Sequence, residues 1–272
     1  MRERSGRRGQ ALAPGRAETQ ARKGGRAIEF FHAVFLQVAT TQLPLSDFAL
    51  KGGGNLRFFL RSRRRSADLD LDYLGRNFDG FAERMDKVMA TRALSELLRV
   101  RGITLVFDGH RAKDTATVKR WKFGLTEVGM ETASSKIEFS NRGPAGDPVV
   151  DQSDTELARR LGAVAVRFNH YPAVAAVEQK VNALARRSET EPRDVFDLDH
   201  LFVQYPTALA DASLNKELIR AAVNRAGGIT YTQYRDLVVE YLEEDFVPLY
   251  GSEQAWTDMA ARVAHALEGK LR

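Results

Sequence analysis

Leu50-Lys51-Gly52-Gly53-Gly54-Asn55-Leu56-Arg57, followed by Arg65-Ser66-Ala67-Asp68-Leu69-Asp70-Leu71-Asp72, reads as a strand, a glycine turn, a short helix and a second strand bearing aspartates. Alternation along a strand puts Asp68, Asp70 and Asp72 on one face and Leu69, Leu71 and Tyr73 on the other. Like charges aligned on one strand face repel unless a cation sits among them. A glycine turn ahead of a helix presents free backbone N–H groups suited to phosphate. A phosphate cradle beside metal-binding carboxylates is what phosphoryl or nucleotidyl transfer requires.

Working outward, the 272-residue chain is 43% hydrophobic and 28% charged, the balance of a water-soluble globular protein large enough to bury a core. It has no cysteine, which excludes disulfides and thiolate-held zinc and suits a reducing cytoplasm. No apolar run reaches the length of a membrane span, so no membrane association is expected. Residues 1–26 carry eight Arg/Lys against two Asp/Glu; the whole chain is +5, so the remainder is close to neutral. This basic tail is expected to be disordered, either an arm that attracts nucleic acid or an extension without a role.

Hydrophobic periodicity divides the rest. Phe30, Phe31, Val34, Phe35 and Val38 mark an amphipathic helix beginning near Ala27. Phe48–Leu50 and Ala67–Tyr73 are strands, with a helix over Asn55–Leu60 between them. A long helix capped by Asp79 is expected to end before Gly102. Strands follow at Ile103–Phe107, Thr115–Leu125 and Ser134–Ser140, and another over Val164–Phe168. Helices are expected at Ala173–Arg187, Arg193–Phe202, Leu214–Ala226, Thr232–Leu249 and Glu253–Leu271. The class is α+β: a mixed-sheet transferase domain over 27–150, then a mostly helical domain over 151–272 that contributes site residues.

The glycines alone fit any turn needing positive φ, and they do not match a P-loop. Joined to Asp68 and Asp70 they become a phosphate and metal site, since two carboxylates spaced i, i+2 can hold divalent ions. Glu138 faces away from Ile137 and Phe139 and is the candidate third carboxylate; it reads equally as an exposed glutamate paired with a lysine. Helical geometry puts Asp194 inside its helix's apolar arc and Lys180 at the edge of its own, so the two can pair, either as part of a site or as a clamp between helices. Arg193 and Asp197, spaced i, i+4, can pair with each other. Ser66 can reach a phosphate or close a turn, and Arg57 can reach a triphosphate or lie exposed. The five histidines show no metal-ligand spacing.

Lys51-Gly52-Gly53-x-x-Leu56-Arg57, Ser66-x-Asp68-Leu69-Asp70, the strand Lys136–Ser140, Val177-Glu178-Gln179-Lys180 and Arg193-Asp194-x-x-Asp197-Leu198 occur in that order. Over roughly residues 28–202 they resemble the AbiEii/AbiGii abortive-infection toxins, nucleotidyltransferases with a polymerase-beta-like fold. The chain departs from the family pattern in having Gln179 before the lysine and a strongly basic connector, Arg61, Arg63, Arg64 and Arg65. The resemblance implies a toxin that transfers NMP from an NTP with Mg²⁺ or Mn²⁺, most often to a tRNA 3′ end, and an AbiEi-like antitoxin as partner. It implies catalytic roles for Asp68, Asp70, Glu138, Lys180 and Asp194, the first three as metal ligands, and nucleotide binding by Lys51, Gly52, Gly53, Arg57, Ser66 and Lys180. Arg61, Arg63, Arg64 and Arg65 are candidates for gripping RNA. Transfer to a protein (AMPylation), kinase-like γ-phosphoryl transfer on the same fold, and an inactive module binding nucleic acid or antitoxin are the alternatives.

Overall fold

The computed structural model describes the backbone of residues 16–272 and the side chains from residue 25 onward. The elements in order are α1 (Arg16–Gln42), β1 (Phe48–Lys51), α2 (Gly52–Phe58), β2 (Leu69–Tyr73), α3 (Phe78–Met89), α4 (Arg92–Arg99), β3 (Ile103–Val106), β4 (Lys113–Asp114), β5 (Val118–Glu127), β6 (Ala133–Ser140) and β7 (Val149–Gln152). They continue with α5 (Thr155–Leu161), β8 (Arg167–His170), α6 (Ala173–Arg186), α7 (Pro192–Gln204), α8 (Ala208–Asp211), α9 (Lys216–Ala226), α10 (Tyr231–Leu237), α11 (Val247–Tyr250) and α12 (Glu253–Gly269).

The strands form one mixed sheet in the order β3-β5-β6-β2-β1-β8-β7, with β4 beside β5. β1 runs antiparallel to β2, β2 parallel to β6, and β1 parallel to β8. On the covered face, Phe31 and Phe35 of α1 and Phe81 of α3 pack with Phe48, Trp121 and Phe139 of the sheet. Each such ring, fully removed from water, stabilises the fold by about 1.5–3 kcal/mol. A second core joins α6, α7, α9, α10 and α12, with Trp256 stacked on Tyr234 at 4.5 Å between ring centres. The short helix α2 serves both cores, sending Phe58 to the first and Leu56 to the second. That shared role fixes its glycine-rich start at the seam.

Several expectations need correction. Helix α1 begins at Arg16, so residues 16–26 of the supposed disordered tail are helical; residues 1–15 lie outside the described part. The sheet does not end at residue 150, because β7 and β8 complete it and Leu157 and Phe168 join its core. The boundary between the sheet and the helical layer falls after His170. β7 was missed because all four of its residues are exposed at a sheet edge, where burial imposes no alternation. The long helix from Asp79 is two helices, broken at Ala90-Thr91 and capped by Asn77, whose side chain accepts from the Gly80 N–H. The stretch 232–249 is likewise broken into α10, two 3-10 turns and α11.

Candidate active site

The three glycines are the first turn of α2 rather than a turn ahead of it. Gly52 has φ +63°, and a Cβ there would lie 3.4 Å from Asp70 Oδ2. A Cβ on Gly53 would stand 2.6 Å from Ser66 Oγ and 3.2 Å from the Arg64 guanidinium. The glycines thus let the backbone N–H groups of the turn stand directly against the aspartate strand.

Sheet register supplies a row of charge across that strand. Asp70 lies opposite Lys51 of β1 on one side and Glu138 of β6 on the other, and Glu138 lies opposite Arg120 of β5. Arg120 Nε donates to Glu138 Oε2 at 2.6 Å, and Lys136 Nζ pairs with Asp68 Oδ2 at 3.1 Å. Among the described residues Asp70 makes no ion pair within 4 Å. Burial lifts its carboxyl above the ordinary value; Asp68 and Glu138 push the same way, against Lys136 and Lys51. Asp72 is not part of this crowd: it is buried, ion-paired to Lys51, and accepts from the Tyr171 hydroxyl at 2.7 Å. A lysine, not a metal, settles the third aspartate.

Opposite this row stands the lysine of α6. Lys180 Nζ pairs with Asp194 Oδ1 at 2.8 Å and Asp197 Oδ2 at 2.6 Å, both aspartates fully buried on α7. Arg187 Nε reaches the far oxygen of Asp194 at 3.2 Å. Arg64 grips Asp197 with Nε at 3.1 Å and a terminal nitrogen at 2.9 Å from Oδ2. Burial would raise the Asp197 carboxyl, but Arg64 and Lys180 together hold it well below the usual carboxylate range. The expected Arg193–Asp197 pair does not form; Arg193 pairs with Glu191 at 3.2 Å. In the sequence Asp197 stood only in the Arg193-Asp194-x-x-Asp197-Leu198 motif and as a possible partner of Arg193; its burial beside Lys180 left no separate signal.

A cavity of about 580 Å³ opens between these parts, lined by Lys51, Gly52, Leu56, Asp70, Lys180 and Arg187 among others. The structure therefore brings Lys51, Gly52, Asp70 and Lys180 together, with Asp194 behind the lysine. Gly53 follows in the same turn. Ser66 does not face the cavity as a free hydroxyl: it donates to the Asp68 carbonyl at 2.8 Å and shapes the turn into β2.

Three arginines are not where the sequence reading put them. Arg57 is 3% exposed, ion-paired to Glu29 and Glu243, and donates to the Ser62 carbonyl at 2.6 Å, and it does not line the cavity of Gly52, Asp70 and Lys180. Arg64 is buried against Asp197, and Arg65 against Glu29 at 3.1 Å and the Leu242 carbonyl. Of the supposed RNA patch only Arg61 and Arg63 are exposed, Arg61 beside Asp154 and Arg63 over the Phe246 ring. A run of arginines in a connector between two layers is drawn into buried pairs because the layers' inward acids need partners.

The oxygen donors of Asp68 and Asp70 suit a hard divalent cation, which would offset both the burial and the neighbouring Asp68 and Glu138 charges that raise the Asp70 carboxyl. The expected three-ligand set is not assembled, however. Among the described residues no three His, Asp or Glu side chains converge on a metal position, and Glu138 is held by Arg120 instead.

The family model for the AbiEii nucleotidyl transferase toxin of type IV toxin–antitoxin systems matches residues 35–269. The chain belongs to this AbiEii family. It is a nucleotidyltransferase toxin of mixed α/β fold, using a nucleoside triphosphate, and the family implies a cognate antitoxin. No curated protein matches it. Among solved structures it is similar to MenT4, a nucleotidyltransferase toxin from Mycobacterium tuberculosis, at 18% identity and a TM-score of 0.53, covering 93% of this chain and 86% of that one. It is also similar to JHP933 from Helicobacter pylori, at 18% identity and a TM-score of 0.46, covering 95% and 96%. The AbiEii match extends to α12, which the motifs, ending near residue 202, did not reach. No helix among the described residues is long and apolar enough to cross a membrane.

Proposed function

We propose that this AbiEii toxin transfers NMP from an NTP to the 3′ end of tRNA in the cytoplasm, restrained by an AbiEi-like antitoxin. The observation that carries the reading is the cavity in which the Asp70 row, the Gly52 turn and Lys180 meet. The triphosphate lies along the N–H groups of Gly52 and Gly53, with Lys51 and Lys180 facing its charge. Asp68 and Asp70 are the residues that would hold Mg²⁺ or Mn²⁺. When bound, such an ion lowers the pKa of an attacking hydroxyl and screens the phosphates. Glu138, fixed by Arg120, orients that hydroxyl. Its oxygen releases its proton to solvent and attacks the α-phosphorus, the bond to the bridging oxygen breaks, and pyrophosphate leaves with the electron pair toward Lys180. Asp194 and Asp197 hold Lys180 aimed into the cavity.

The test is incubation with α-labelled nucleoside triphosphates, Mg²⁺ and total tRNA, beside Asp70→Asn and Lys180→Ala. Label should enter tRNA, and each variant should lose about 100-fold or more, the scale for removing one electrostatic contributor to a transition state. Label from the γ-position would instead mean phosphoryl transfer, and label on protein alone would mean AMPylation.

A further inference from the structure

A second cavity, also about 580 Å³, opens beside Asp68 on the β6 side of β2. Asp68 lines it, with Lys136, Lys122, Gly124, Val106 and Thr132. It shares no lining residue with the cavity of Gly52, Asp70 and Lys180. The two spaces thus approach the Asp68/Asp70 pair from the β6 side and the β1 side.

The groove is built by alternation. Trp121, Phe123 and Leu125 of β5 point into the core, which turns Lys122 and Gly124 to the open face. Lys122 lies opposite Lys136 of β6, and Val106 of β3 lies opposite Gly124. A Cβ on Gly124 would stand 2.6 Å from Thr132 Cγ2 and 3.7 Å from Val106 Cβ. The missing side chain therefore keeps the floor low between those two walls. Val106 is 55% exposed, an apolar shelf beside two lysines. Lys136 is tied to Asp68 at 3.1 Å, whereas Lys122 is exposed and its side chain makes no ion pair or hydrogen bond with any described residue. Asp108 stands at the far end, its carboxylate accepting from the His110 N–H at 3.0 Å.

We propose that this groove is the acceptor subsite, receiving the hydroxyl-bearing end of a single-stranded nucleic acid. The inference rests on the nucleotidyl-transfer reading above. A displacement at phosphorus needs the attacking oxygen in line with the leaving group, hence on the side away from it. The glycine turn and Lys180 take the triphosphate on one side, and the groove is the space on the other. Lys122 and Lys136 meet backbone phosphates, and the terminal base lies over Gly124 against Val106. Glu138 and Asp68, both bordering this side of Asp70, meet the terminal hydroxyl.

The full chain, Lys122→Glu and Val106→Asp are assayed for transfer from α-labelled NTP to tRNA, with NTP affinity measured separately by titration. Lys216→Glu, an exposed lysine on α9, controls for general charge. Each groove variant should raise the acceptor KM by about tenfold, steepest at low salt for Lys122→Glu, with NTP affinity unchanged and Lys216→Glu silent. An unchanged acceptor KM in both groove variants, with transfer intact, overturns the subsite and leaves the transferase reading standing. An equal rise in Lys216→Glu likewise overturns it, as the effect is then not local. Wild-type protein that binds NTP but labels only protein overturns the nucleic-acid acceptor. Wild-type protein that binds no NTP and labels nothing overturns both.

Discussion

Lys180 is one charge held by two buried aspartates, and the arrangement sets what each neighbouring residue does. Arg64 completes it: its guanidinium lies on Asp197 of α7 and beside Gly53, linking the aspartate helix to the glycine turn. Asp197→Asn should lower kcat more than it raises the KM for NTP, because Lys180 is mis-aimed rather than lost. It should also cost about 3 kcal/mol or more of stability, the scale for breaking a buried pair. The pH dependence has a definite sign. Asp197 is depressed in the folded protein, so its contribution is complete above its ordinary value of 3.8 and is lost as pH falls toward the lower folded value. The stability gap between wild type and Asp197→Asn, followed by urea unfolding, should be flat near neutrality and shrink below about pH 4. Arg57 makes the contrasting case. Arg57→Ala leaves Glu29 and Glu243 without their buried partner and should destabilise by about 3–5 kcal/mol, with NTP affinity in the surviving folded protein unchanged.

At the scale of elements, α2 and β2 are joined by close approach more than by hydrogen bonding. Gly53→Ala drives a methyl onto Ser66 Oγ and toward Arg64, so either the helix start or the turn into β2 must shift. It should weaken NTP binding at least about tenfold, since the N–H groups that face the phosphates move with the turn. The readout is nucleotide titration, with circular dichroism to show that the fold persists. The same region shows how far a sequence can be read. Short strands β1, β2 and β6 were legible because their inward residues, Leu50, Leu69, Leu71, Ile137 and Phe139, are apolar and fully buried. Helices α6 and α7 were legible for the same reason, through Val177, Val181, Leu184, Leu198 and Leu201. Strand β7 and the break between α3 and α4 were not, because neither an exposed edge nor a residue pair at a helix end leaves a periodic trace.

In the whole molecule two cores meet along α2, and buried ion pairs cross the seam. Arg57 reaches Glu29 in α1 and Glu243 near the C-terminal end, and Arg65 joins Glu29 to the Leu242 carbonyl. The chain should therefore unfold in one transition, and a fragment ending at residue 150 should not fold, having lost half of β7, all of β8, Phe168 and every helix that packs around Leu56 in the second core. Thermal melting of the full chain, and near-ultraviolet circular dichroism of the fragment, check both. By itself the sequence determined the mixed sheet, the helical second half, the Gly52-Gly53 turn beside Asp70, and the possibility of a Lys180–Asp194 pair. Each of these is local: it follows from side-chain period, turn chemistry or spacing along one element. Tertiary structure alone decided which charges face the cavity. Asp72 went to Lys51 and Tyr171, Arg57 and Arg65 to Glu29, and Arg64 and Lys180 to Asp197. A buried charge takes its partner from whatever element packs against it, and that partner stands far away along the chain.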